Sequence, residues 1–330
     1  MVPIIAVLVL TFCFSGVAYA QEAETTLPDP GITPDSPFYF MDRWGKQISL
    51  AFTFNAQHKV EKALRYADER MAEIDAMMAR NKIREATQAA NEYQNCLEIA
   101  TKNMEQARLR GADVSEKVAL MAERHIGYLS DSTDNTTEDA RNLMTQTRER
   151  AMTCQETALR NMAQGDPEKA ARLNLQLMER QLNRIRTQAE DGKGEAVRAR
   201  VEAYNRLENL VQEISQIAKG LGTETTVDQL VGMATAHHLE VLAQVQERVQ
   251  GRAQEAVQAA IENCIQNHER LVNRLQERNQ LGNVPQELPN ANMYQNRAGQ
   301  QATQGATGTA NTTQTQAGQG SSPGGPQRGL

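Results

Sequence analysis

The sequence predicts an all-α fold: an aromatic-rich N-terminal helix, four tandem helical hairpins of about 56 residues, and a disordered C-terminal tail. Three observations predict it. First, apolar residues recur every three or four positions, the spacing that places side chains on one helix face. One such stripe is Leu64, Ala67, Met71, Ile74 and Met78; a second is Ala89, Tyr93, Cys96 and Ala100. Second, both stripes repeat. Met71 and Ile74 return as Ile126 and Leu129, Leu182 and Ile185, and Leu239 and Leu242, at offsets of 55, 111 and 168 residues. Cys96 returns as Cys154, Leu207 and Cys264, at offsets of 58, 111 and 168. Two independent helices thus agree at two of three offsets, and the loop from Ser130 to Thr137 is long enough to hold the three extra residues of the second copy. Third, aromatics make up only 4% of a chain that is 40% hydrophobic, which suits helices of Ala, Leu, Met and Val better than sheets. The competing explanation is chance likeness among Ala/Glu/Gln-rich helices. It fails if Met71, Ile126, Leu182 and Leu239 occupy equivalent environments.

Residues 1–20 read as a signal peptide, with an apolar run from Val2 leading to Ala18-Tyr19-Ala20, a small-x-small cleavage pattern. The n-region lacks Lys and Arg, and Val2–Ala20 is just long enough to span a bilayer, so an uncleaved anchor is the alternative. The expected localisation is export, to the extracellular space or the periplasm and cell envelope. Residues 21–33 form an extended lead-in. Residues 34–61 form a capping segment: Ser36 caps a helix that opens on Pro37 and carries Phe40, Trp44, Ile48 and Phe52 on one stripe. Two roles fit its aromatics. They plug the open end of the first hairpin, as the caps of helical solenoids do, or they form an exposed patch for a partner, with Phe38, Tyr39, Phe40 and Trp44 as the contact residues.

The segment also carries a family resemblance. Pro34-Asp-Ser-Pro-Phe-Tyr-Phe40, Arg43-Trp44, Phe52-Thr-Phe54 and Ala67-Asp-Glu-Arg-Met-Ala-Glu-Ile74, in that order, resemble an uncharacterised family of exported proteins known only as a domain of unknown function, over about residues 34–105. The resemblance implies a helical extracytoplasmic domain and brings no catalytic residues.

The hairpins are expected at 62–112, 113–165, 166–222 and 223–281. Asp113-x-x-Glu116 reads as a capping box. Gly165-Asp166-Pro167 is a helix stop followed by a start. Asp191-Gly-Lys-Gly194 breaks the third hairpin, Gly220–Thr226 separates it from the fourth, and Gly251 marks a weak turn inside the fourth, with helix running through it as the alternative. From Leu281 the chain turns to Gly, Pro, Gln and Thr, and 282–330 is expected to be disordered. Asn135-Thr-Thr and Asn311-Thr-Thr are glycosylation-type sequons in predicted loops.

Chemistry is sparse. His-Glu-x-x-His, Glu-x-x-His and Cys-x-x-Cys are absent, which removes zincin, di-iron and zinc-ribbon readings. The net charge of −6, without a dense Lys/Arg run, argues against a nucleic-acid partner. Cys96, Cys154 and Cys264 share one repeat position; the reading is buried small hydrophobes, with a Cys96–Cys154 bridge as the alternative. Cys264 and His268, four apart on one helix face, are the candidate metal ligands, since His268 stands where other copies have Ala100, Ala158 and Val211. No catalytic residue and no cofactor is expected. The function expected is a non-catalytic structural or protein-interaction module with a protein or envelope-polymer partner, no nucleic acid, and no stable membrane span after signal cleavage. A helical periplasmic chaperone or stress sensor, and a metal-binding helical protein, are the alternatives.

Overall fold

A computed structural model describes residues 27–134 and 136–288. The signal peptide, both sequons' asparagines and the tail beyond residue 288 lie outside those residues. Within them all regular structure is helical, in nine helices, and the chain divides into two compact units, residues 1–107 and 108–330.

The first unit carries α1 (Tyr39–Ala51), α2 (Ala56–Ala79) and α3 (Ile83–Leu109). Ser36 does not start a helix at Pro37. Its hydroxyl accepts from the Phe38 N–H at 3.3 Å in a turn, and α1 begins at Tyr39. Asn55 caps α2 by accepting from the His58 N–H at 3.0 Å, so that helix starts six residues earlier than its apolar stripe suggests. Asn81, at φ 55°, ends it: the Lys82 N–H reaches back to the Met77 carbonyl at 2.8 Å, a left-handed C-terminal cap.

The second unit carries α4 (Ser115–Asp131), α5 (Glu138–Ala163), α6 (Pro167–Glu190), α7 (Gly194–Leu221), α8 (Glu224–Gln246) and α9 (Gly251–Glu277). They pair as α4 with α5, α6 with α7 and α8 with α9. Adjacent pairs then stack with corresponding helices together, α6 on α8 and both α5 and α9 on α7. Hydrogen bonds between pairs join residues about one period apart: Gln181 to Glu123 (58 residues), Arg148 to Glu202 (54) and Arg248 to Glu190 (58). Gln181 Nε2, for example, donates to Glu123 Oε1 at 2.8 Å.

The residues matched by register are all buried. Met71, Ile126 and Leu182 are 0% exposed and Leu239 1%; Cys96, Cys154, Leu207 and Cys264 are all buried as well. Each such aliphatic side chain, on leaving water, stabilises its helix pair by about 1.5–3 kcal/mol.

Two expected boundaries are corrected, at Asp113 and after Leu281, and two hold. The Asp113 carboxylate accepts from the Ser115 N–H at 2.9 Å, so it closes a turn ahead of α4 and makes no capping box with Glu116. Asp166 does cap α6, with Pro167 in its first turn. The turn expected at Gly251 is present: at φ 57° the glycine takes a left-handed conformation, α8 ends at Gln246 and α9 begins at Gly251. Residues 282–288 are not free chain. Val284 and Leu288 are buried, and Val284 lies against Gly232 of α8 and Leu271 of α9. Glycine at 232 leaves the room that this strap fills. No helix of the described residues is long and apolar enough to cross a membrane.

Candidate functional site

The metal candidates come apart on inspection. Cys264 is fully buried, and its sulfur faces the Thr235 carbonyl at 3.9 Å. His268 Nε2 donates to the Pro285 carbonyl at 2.8 Å, so the histidine fastens the strap to α9. Burial holds its pKa below the usual histidine range and keeps it neutral. No cluster of three His, Cys, Asp or Glu side chains able to hold a metal occurs among the described residues. The three described cysteines are unpaired and buried. Burial pushes the Cys96 and Cys154 thiols up to about 12 and raises Cys264 well above the usual thiol range, far from a reactive thiolate.

Sequence reasoning missed the buried polar clusters. In the second unit, Tyr204 and Glu208 of α7 meet His238 of α8 and Asn267 of α9. The Tyr204 hydroxyl lies 3.3 Å from both Glu208 Oε2 and His238 Nδ1, and Asn267 Nδ2 donates to Glu208 Oε1 at 3.1 Å. Burial outweighs those donors and pushes the Glu208 carboxyl up to about 7. Burial, then the neighbouring His237, holds His238 down to about 3. Glu123 sits likewise between Gln155 and Gln181, each at 2.8 Å. Asp228 takes Arg274 and Ser215. These groups join one helix pair to the next, and they stand on inner faces away from open solvent. The signal for them was present, since Glu123 and Glu208 fall at inward positions of apolar stripes.

The first unit has a cluster of another kind. The buried Tyr39 hydroxyl donates to Glu73 Oε2 at 2.9 Å and accepts from Arg70 Nη1 at 3.0 Å. Arg70 also bonds the other Glu73 oxygen and reaches Asp42 of α1 at 3.0 Å. Lys46 of α1 bridges Asp42 and Glu69, both at 2.8 Å. Burial raises the Glu73 carboxyl above its usual range, against the pull of Arg70.

Those contacts fix the orientation of α1, and it is inverted. Of its charged residues, Asp42 and Lys46 face α2, and Arg43 pairs with Glu92 of α3. Its apolar stripe faces out: Phe40 is 66% exposed, Trp44 68% and Phe52 73%, with Met41 and Ile48 between them. Phe38 and Phe54 extend the face at either end, at 62% and 82% exposed. The plug expected of these aromatics is therefore not formed among the described residues. Of the four expected contact residues, Phe38, Phe40 and Trp44 are exposed, and Tyr39 is 3% exposed and held by Glu73 and Arg70. Tyr39 is an anchor beneath the face, because its hydroxyl finds two charged partners there and none outside.

Comparison with known proteins adds one family. Residues 31–164 match the model described as Domain of unknown function (DUF5667), a span that holds α1 through α5. No curated protein matches the chain. Among solved structures, one described as "Circular tandem repeat protein with novel repeat topology and enhanced subunit contact surfaces" aligns at 13% identity and a TM-score of 0.49, over 68% of this chain and 50% of its own. The chain thus spans about half the length of that protein.

Proposed function

We propose that this protein is a non-catalytic, exported interaction module of the cell envelope or extracellular space, with the outward face of α1 as its working surface. The single observation that carries the reading is the inversion of α1, which spends its polar residues on α2 and leaves four Phe and the sole Trp in water. Apolar patches of such extent are uncommon on monomers without a partner. Export follows from the apolar N-terminal run and its Ala18-Tyr19-Ala20 ending. The uncharged stripe of that face supports an apolar contact with an envelope component. In the second unit, buried polar groups such as Glu123 with Gln155 and Gln181 tie the helix pairs together, which supports a structural reading.

The test is a photo-crosslinking side chain at position 52 in cells that make the protein. Adducts to an envelope component that form at 52 and not at a control position such as Gln94 support the module. Equal labelling at both positions, or none at 52, overturns it. A second reading, a chaperone that holds unfolded clients, draws on the same exposed aromatics. It expects the protein to suppress aggregation of a denatured client, and to lose that action when Phe40 and Phe52 become Ser.

A further inference from the structure

We propose that the apolar face of α1 lies in the headgroup region of a bilayer containing anionic lipid, holding the protein peripherally on a membrane surface. This rests on the reading of α1 as the working face and names its partner.

The area comes first. Four Phe and one Trp, each offering about 200 Å² and each about seven-tenths exposed, present roughly 700 Å² of aromatic surface. That exceeds the few hundred Å² of the usual largest patch on a monomer. The chemistry comes second. Trp and Phe on one side of a short helix, with no charge among them, are the residues that settle at the boundary between headgroups and acyl chains. The mounting comes third. α1 lies along α2, with Tyr39 on Glu73, Asp42 on Arg70, Lys46 on Glu69 and Lys62 donating to Ser49 Oγ at 3.0 Å. Turning the aromatics inward would break every one of these, so the face is held out by the fold itself.

Charge then chooses between a lipid surface and a second copy. Of the five basic side chains in residues 38–66, Arg43 pairs with Glu92 and Lys46 with Asp42 and Glu69, and Lys59, Lys62 and Arg65 remain. Lys59, Lys62 and Arg65 are spaced by three on α2, and Lys62 stands against the last turn of α1, beside the Phe52 end of the face. Two copies joined through the same face would bring these like charges together. An anionic headgroup layer attracts them.

Trp44 is the only tryptophan, so its emission reports on this face alone. The experiment titrates the full-length chain with vesicles of phosphatidylglycerol and phosphatidylcholine, with vesicles of phosphatidylcholine alone, and with brominated-lipid versions of each. The expected result is a blue shift of Trp44 and its quenching by brominated lipid, stronger on the anionic vesicles and weakened by salt. Phe40→Ser and Phe52→Ser, both at exposed positions that leave the fold intact, should each lower the partition coefficient roughly tenfold. Lys59→Gln with Arg65→Gln should weaken binding to the anionic vesicles and leave phosphatidylcholine binding unchanged. Trp44 emission that no vesicle alters overturns the proposal. So does vesicle binding with Trp44 unquenched, which assigns attachment to Val2–Ala20. A lipid-free dimer in sedimentation whose formation buries Trp44 and is lost in Phe40→Ser also overturns it, in favour of a second copy. The crosslinking result at position 52 judges the interaction-face reading separately, whichever lipid outcome is found.

Discussion

Replacing Glu208 by Gln should make the protein more stable at neutral and alkaline pH. Glu208 is 2% exposed, and burial pushes its carboxyl from 4.5 up to about 7. The unfolded chain therefore gives up this proton before the folded chain does. The sign follows: folding stability is unaffected below about pH 4.5, falls as pH rises toward 7, and stays lowered above it. A shift of about 2.5 units at about 1.4 kcal/mol each puts the loss near 3 kcal/mol. Gln removes the charge and keeps the network. Its carbonyl accepts from Asn267, its amide donates to the Tyr204 oxygen, and the Tyr204 hydrogen turns to His238 Nδ1, 3.3 Å away. His238 has the opposite dependence, losing stability as pH falls below 6.5, and it contributes equally to both proteins. The difference between them isolates residue 208. Urea unfolding followed by circular dichroism from pH 4 to 9 should give a Gln-minus-Glu difference that is near zero at pH 4 and reaches about 3 kcal/mol at pH 8. A difference that stays constant across that range refutes the claim that a buried carboxyl is being forced to ionise.

Arg70→Met should cost about 3–5 kcal/mol in urea unfolding, because it strands the buried Glu73, and Arg70→Met with Glu73→Gln should recover most of it. In Gly232→Ala the new methyl would sit 2.6 Å from Val284 and 2.9 Å from Leu271; a cost of about 1–3 kcal/mol is expected, relieved when Val284 is also made Ala. Phe54→Ser, at a side chain 82% exposed, should change stability by no more than about 0.5 kcal/mol, whereas a true plug would lose several times that. Cys96, Cys154 and Cys264 should resist thiol reagents in the native protein and all label in urea, read by peptide mass.

The hairpin stack was legible because burial imposes a period on each helix, and the same period returned in every copy. Ile126 and Leu239 could be matched before any coordinates, since the pattern repeats far beyond one helix. Helix starts were less legible. Asp113 and Ser36 are good capping residues, yet each settled into a turn before the helix, where its side chain met a nearer N–H. The orientation of α1 was hidden for a different reason. A stripe of Phe40, Trp44, Ile48 and Phe52 states that one side is apolar, and only the partners of the other side say which way it points. Those partners, Arg70, Glu69 and Glu73, lie on α2, about 30 residues on, and nothing in the spacing announces them. The Tyr204–Glu208–His238–Asn267 group is dispersed over α7, α8 and α9 in the same way. The strap at 282–288 was read as free chain because one Val among Gly, Asn and Pro gives no period; its burial depends on the gap at Gly232.

That strap covers apolar surface of the last described helix pair. In a stacked series the final pair has apolar residues that a following copy would cover, and an uncovered end invites growth from another chain. Here the chain supplies its own terminator: Val284 occupies the space above Gly232, and His268 pins it through the Pro285 carbonyl. Deleting seven residues there would turn a finite object into one with an adhesive end, and head-to-tail polymers, rather than simple unfolding, would be the outcome to look for.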